Sequence, residues 1–260
     1  MIFDAHTHTE ISSDSKMNAV DALIAAEKLG IGIIFTEHYD FDYRKSVHFK
    51  DMDFLFDPQE YFEKYEPLRR PGLLLGIEVG LTAGSVEANR QIVRDNPFDQ
   101  VIGSIHAIDG YDIYYPDIYE GKTKAQVFTQ YFQDMADMVA ANPFIDVLGH
   151  IDYICRYAPY DNKGIEYPLF HEAIDQVLEN VLAAEVVLEL NTRRLHDKAT
   201  AEELIPVYRR YREMGGRFIT IGSDAHVEEH VGMNFELARD LADHVGLQPV
   251  YFKNRKLQTY

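Results

Sequence analysis

Seven apolar runs along the chain each end at an acidic or histidine-bearing tip. They are MIFDAHTH, GIGIIFTEH, LLLGIEVG, QVIGSIHA, IDVLGHID, VVLELNT and FITIGSDAH. Short apolar runs of this kind read as buried strands. Between them apolar residues recur at helical spacing over 18–29, 58–69, 85–95, 123–141, 168–184, 200–214 and 233–245. Gly30 stops the first helix, Pro58 suits a first turn, Thr123 suits a cap, and Pro143 follows the fourth. The alternation gives about seven βα units, with the last helix closing the chain. Potential ligands end every run from first to last, so all strand ends must meet around one centre. That predicts a closed or distorted α/β barrel with its site at the strand C-terminal ends. An open sheet would hold its outer strands too far apart.

Composition narrows the partners. At 260 residues, 46% of them hydrophobic, one domain spanning 1–260 with a sizeable core is expected. A net charge of −18 disfavours nucleic acid and anionic membranes as partners. It does not oppose a small anionic substrate, because the field at a metal site is local. Cys155, the single cysteine, excludes an internal disulfide and fits a reducing compartment. No apolar stretch reaches the roughly 18–20 residues of a membrane span. The start shows no basic-then-apolar leader pattern, so a cytoplasmic location is expected. The segments 39–57, 107–122 and 153–167 follow strand tips and should form the pocket rim. They carry Tyr39, Tyr43, Tyr111, Tyr114, Tyr115, Tyr119, Tyr153, Tyr157 and Tyr160, with Arg44 and Arg156.

The tips hold the candidate chemistry. His6 and His8 alternate, so both can face one ion. Asp224 and His226 repeat that spacing. Glu78 sits in an apolar run where a lone carboxylate would be costly, a cost that a cation removes. Its two oxygens can bridge two ions. His106 and His150 occupy equivalent tips, and His38 reads as a ligand with Glu37 behind it. Asp14 lies in a polar turn that alone would read as a cap. His48, His171, His196, His230 and His244 read as solvated or structural, with His196 the first exception to consider.

HTHTEISSDS, TEH, GIEVG, GSIHAI, GHIDYICRY, ELNT and IGSDAH, in this order, resemble the PHP (polymerase and histidinol phosphatase) superfamily, and within it the monofunctional histidinol-phosphatase branch. The resemblance runs from residue 2 to about 228. It implies a TIM-like, distorted (β/α)7 barrel holding three divalent ions of Zn, Mn or Fe. It assigns His6, His8, Glu78 and Asp224 to one ion and Glu78, His106 and His150 to a second. The third takes Asp14, His38 and His226. Some relatives have histidine at the position of Asp14.

Three divalent ions against the carboxylates of Asp14, Glu78 and Asp224 leave a first shell of charge +3, which favours hydroxide and a phosphoryl dianion. The expected reaction is hydrolysis of L-histidinol phosphate by a metal-bridging hydroxide attacking phosphorus directly. Asp224 or His226 would guide the proton to the leaving alkoxide. Arg156, Arg193 and Arg194 are the candidate phosphate grips, though each alone also reads as a surface charge. Asp109 or Asp112 could attract the substrate ammonium, and Tyr111, Tyr114 or Tyr115 could stack on its imidazole. Alternatives are another small phosphate ester, an amidohydrolase-like hydrolase, or a metal-binding module with an idle site. The second commonly needs a bridging lysine where this chain has Glu78.

Overall fold

The computed structural model describes residues 1–42, 54–196 and 198–260. The expected alternation is present. β1 (Phe3–Thr7), α1 (Ala19–Leu29), β2 (Gly32–Tyr39), α2 (Pro58–Tyr65), β3 (Leu73–Gly80), α3 (Val86–Asp95) and β4 (Val101–Ser104) come first. After β4 a small hairpin, β5 (Ala107–Ile108) and β6 (Tyr111–Asp112), precedes α4 (Lys124–Ala141) and β7 (Val147–Leu148). Then follow α5 (Ile154–Tyr157), α6 (Tyr167–Ala183), β8 (Val187–Asn191), α7 (Lys198–Glu213), β9 (Phe218–Gly222) and α8 (Phe235–Val245). The chain finishes in β10 (Gln248–Lys253) and β11 (Lys256–Thr259).

Local chemistry explains the helix boundaries. Asn18 caps α1 through the Val20 N–H, and Gly30, at φ 67°, ends it in the left-handed region. Thr123 and Gln126 form a reciprocal capping box at α4. The helix expected over 58–69 stops at Tyr65 and continues as a tight turn from Glu66 to Leu68, where Pro67 lacks the N–H a helix needs.

Seven strands pair in parallel in the order β1-β2-β3-β4-β7-β8-β9. At the C-terminal ends β1 meets the segment after β9: the Asp224 N–H donates to the His6 carbonyl at 2.8 Å, and the His8 N–H to the Ala225 carbonyl at 2.9 Å. At the other end β10 lies beside β9 through Gln248 and Pro249, and Tyr251 stacks on Phe3 at 4.3 Å. The ring is thus joined where the ligands sit and wedged open below by the terminal hairpin. That hairpin corrects the expectation that a helix closes the chain. Its turn uses Asn254 and Arg255, both at positive φ, a pairing less conspicuous in sequence than Asn-Gly.

Alternation along the strands separates two cores. Ile33, Phe35, Leu73, Leu75 and Ile77 pack outward with the helices, while Ile34 and Leu74 pack with Phe3 and Ala5. Continuing the period-two files past Ile34, Leu74, Ile102 and Val187 reaches His38, Glu78, His106 and Glu189 with Asn191. The lower layers are apolar; the upper ones carry the chemistry.

Candidate metal centre

Glu78 is the hub. The register sets His38 opposite Glu78 on neighbouring strands, and the carboxylate is fully buried. Its Oε1 lies 3.0 Å from His150 Nε2 and 3.3 Å from both His6 Nε2 and His106 Nε2. Its Oε2 lies 2.9 Å from His38 Nδ1 and 3.5 Å from His8 Nε2. Asp224 Oδ1 stands 3.3 Å from His8 Nε2 and 3.8 Å from His6 Nε2. Asp14 Oδ2 stands 3.2 Å from His226 Nε2 and 3.6 Å from His38 Nε2. All nine residues singled out as ligands therefore converge at one end of the ring. Asp224 adopts φ 55°, a left-handed conformation that Asp tolerates better than most residues and that marks many functional sites.

Carboxylates behind the imidazoles aim them. Glu189 Oε1 accepts from His6 Nδ1 at 2.7 Å, while its Oε2 accepts the His150 backbone N–H at 2.7 Å. Gly222 makes this possible, since a Cβ there would collide with Glu189 Oε1 and His6 Cβ. Asp40 Oδ1 sits 2.9 Å from His106 Nδ1. Sequence reasoning missed both acids as site residues, although period-two counting back from Asn191 and on from His38 reaches them. Glu37 accepts from the N–H and hydroxyl groups of Thr9 and Ser12, which ties down the loop leading to Asp14.

The fields are strong. Burial opposes charging His6, but Glu189, Glu78 and Asp224 outweigh it and raise its pKa well above the ordinary value. For His38, Asp14 and Glu78 likewise overcome burial; for His106, Asp40 and Glu78 do so and push it up to about 10. His8 is lowered by burial and by its neighbours His38 and His226, and His150 chiefly by burial. Glu78 is held well below the carboxylate range, because His6, His106 and His38 overcome its burial. The acids thus favour the charged form of His6, His38 and His106, whereas His8 and His150 are disfavoured from charging.

The donor set fits divalent cations. Among the described residues Glu78 Oε2, His38 Nδ1 and His150 Nδ1 are buried without a hydrogen-bond partner, and the close approach of the first two makes no hydrogen bond. Converging imidazole nitrogens and carboxylate oxygens are the ligands of Zn, Mn or Fe. Among the described residues, groups able to hold an ion are His6 with Glu78 and His150, His6 with His8 and Asp224, His8 with His38 and His226, and His38 with Asp40 and His106.

Above the hub lies a cavity of about 200 Å³ whose lining includes His38, His106, Arg156, Arg193, Asp224 and His226. Arg156 Nη1 bonds Asp224 Oδ2 at 2.5 Å, and its guanidinium covers the Tyr153 ring at 4.9 Å. Arg193 Nη1 donates to the Asp224 carbonyl at 2.8 Å. Arg194 does not join them; it pairs with Asp152 at 2.9 Å and with Glu203 and drops out of the anion set. An adjoining cavity of about 350 Å³ is lined by Tyr114, Tyr115, Tyr153, Tyr157, Phe54 and Asp112, among others. Tyr111 and Asp109 do not line it, nor do Tyr39, Tyr119 and Tyr160. Tyr119 is buried and donates to the Ile113 carbonyl. Tyr43, Arg44 and His48 fall outside the described residues. His171, His196, His230 and His244 belong to none of the ion-holding groups. A roomier cavity of about 520 Å³, also bordered by Asp112, is lined by Asp42, Asp109, Asp134 and Asp137 and, among the described residues, by no histidine or arginine, so it does not compete as the reactive centre.

The chain matches the PHP domain family over residues 4–193. It is 43% identical to a probable histidinol-phosphatase of Clostridium acetobutylicum, with 99% of both chains covered. It is 30% identical to the histidinol-phosphatase of Lactococcus lactis, covering 94% of this chain and 91% of that one. A crystal structure of the Lactococcus lactis histidinol phosphate phosphatase, in complex with zinc, L-histidinol and phosphate, superposes with a TM-score of 0.91 at 29% identity over 99% of each chain. The ring of strands, the buried ligands at their ends and these relationships agree: the chain belongs to the PHP domain family and resembles its histidinol-phosphatase branch.

Proposed function

We propose that this protein is a metal-dependent phosphomonoesterase, a single domain that hydrolyses L-histidinol phosphate to L-histidinol and phosphate. The observation that carries the reading is Glu78, buried and within 3.5 Å of five imidazoles, beneath a cavity that two arginines share. The bound zinc, L-histidinol and phosphate of the Lactococcus lactis relative support it. In this reading His6, His8, Glu78 and Asp224 hold one ion, Glu78, His106 and His150 a second, and Asp14, His38 and His226 a third. Zinc is the first candidate, and the same donors suit manganese or iron. Divalent ions in such a site lower the pKa of water and neutralise charge on a phosphoryl group.

The chain's own groups do the rest. Arg156 and Arg193 direct N–H donors at the phosphoryl oxygens and hold the ester in place. Asp224 and His226, which face the same cavity, move the proton to the departing alkoxide oxygen. Tyr114, Tyr115, Tyr153 and Tyr157 take the flat imidazole of the alcohol part, with Asp112 opposite its ammonium. No helix among the described residues is long and apolar enough to cross a membrane. The acidic surface argues against nucleic acid and membrane partners, and we assign the enzyme to the cytoplasm and to histidine biosynthesis.

The test is phosphate release by zinc- or manganese-loaded protein from L-histidinol phosphate beside a generic aryl phosphate. A kcat/KM at least a hundredfold higher for L-histidinol phosphate is expected. Equal turnover of the aryl ester would retain the phosphoesterase and overturn the substrate assignment. No turnover of either with any of the three metals would overturn the enzyme.

A further inference from the structure

β8 ends with two interior polar side chains, Glu189 and Asn191, both almost fully buried. Glu189 holds two metal-site histidines, as described above. Asn191 holds something else. Its Oδ1 accepts from Nη2 of Arg156 at 3.0 Å and from the backbone N–H of Arg193 at 3.0 Å. Its Nδ2 donates to Glu189 Oε2 at 3.2 Å.

We propose that Asn191 is the positioning residue of the phosphate grip, coupling Arg156 and Arg193 to the acid that aims His6. The inference rests on the reading of those arginines as phosphate ligands. The amide can sit only one way: both groups at Oδ1 are donors without acceptor capacity, and an ionised carboxylate at Nδ2 only accepts. Asparagine satisfies all three partners, whereas aspartate, serine or alanine does not. Arg156 is then held at two corners, Nη1 on Asp224 and Nη2 on Asn191, with its face on Tyr153. Its Nε is buried and has no hydrogen-bond partner among the described residues. A guanidinium clamped at two corners presents its remaining N–H groups in a fixed direction, and substrate does not have to order it. Freed at one corner, it pivots about the Asp224 contact.

Asn191→Ala tests this beside Arg156→Ala in the metal-loaded enzyme, with inorganic phosphate as the product-like probe. For Asn191→Ala, KM for the phosphate ester and Ki for inorganic phosphate should rise about tenfold, or about 1.4 kcal/mol. Its kcat should stay within about threefold and its metal content should not change. Asn191→Asp keeps the acceptor for both arginines but sets two carboxylates against each other at Glu189. It should disturb KM less than alanine does and weaken metal binding more, and this isosteric variant carries the test if the alanine variant does not fold. A role limited to folding would lower kcat, metal content and melting point together in both variants, and that result overturns the proposal. So does an unchanged KM and Ki in Asn191→Ala while Arg156→Ala raises both. If Arg156→Ala also leaves both unchanged, the arginine reading itself fails, and the proposal with it.

Discussion

Replacing Glu189 by glutamine removes one charge and one acceptor while keeping the side-chain shape. The native carboxylate receives three N–H donors: His6 Nδ1 at 2.7 Å, the His150 amide at 2.7 Å and Asn191 Nδ2 at 3.2 Å. Glutamine offers a single accepting oxygen, and either orientation does damage. If its NH2 takes the place of Oε2, it confronts the His150 amide and Asn191 Nδ2 donor to donor, and both lose their acceptor. If it faces His6, the imidazole must accept at Nδ1 and carry its proton on Nε2, the nitrogen that faces His8 and Glu78. Losing one charge-assisted bond costs about 1.5–3 kcal/mol. For a chain of this length that is a fall in melting temperature of about 3–6 °C. Losing such a partner behind a ligating histidine typically costs about 10–100-fold in metal affinity. One effect runs the other way. The carboxylate raises the pKa of His6, so its loss eases the proton displacement that metal binding requires. The comparison therefore belongs across a rising pH series, since this opposing effect fades only as pH approaches the raised pKa of His6, using chelator competition for zinc and thermal melts of the metal-free form. Parental zinc affinity together with an unchanged melting temperature would refute this account of Glu189.

Three further outcomes are expected. Glu78→Gln should lose more metal than any single histidine variant, because the carboxylate reaches toward five imidazoles. A unit charge about 4 Å away is worth about 4 kcal/mol at an effective dielectric of 20, so turnover should fall at least a hundredfold, and normal metal content by elemental analysis would sink the bridging assignment. In metal-free protein His106 is pushed up to about 10 despite burial, by Asp40 and Glu78. A pKa raised in the folded state gives stability that is complete below the ordinary value near 6.5 and lost as pH rises through about 10. Melts in chelator should therefore decline across that window, and a flat profile would contradict it. Cys155 is buried, which pushes its thiol pKa up; thiol reagents should label it only on unfolding, and fast labelling of the native protein would show the burial to be wrong.

Much of this architecture is written locally. Strand alternation and helical spacing involve neighbours in the chain, so the βα order, the strand tips and the ligands from His6 to His226 were legible as residues of one centre. The caps at Asn18 and Thr123 lie within three residues of what they bind. The terminal hairpin was not legible, because its turn lacks glycine and Pro249 interrupts its first strand.

The choice among equivalent side chains came only with the folded chain. Arg193 and Arg194 are consecutive and chemically alike, yet one meets the Asp224 carbonyl and the other Asp152 and Glu203. Nothing within a few residues distinguishes them, since adjacent side chains diverge and their partners lie in other loops. Glu189 reads as one more acid in a strand until His6, 183 positions away, is brought to it and Gly222 clears the space between them. Residue type and periodicity decide which side chains can reach the strand ends. Which atom faces which is settled by contacts between distant segments, and those exist only once the ring has formed.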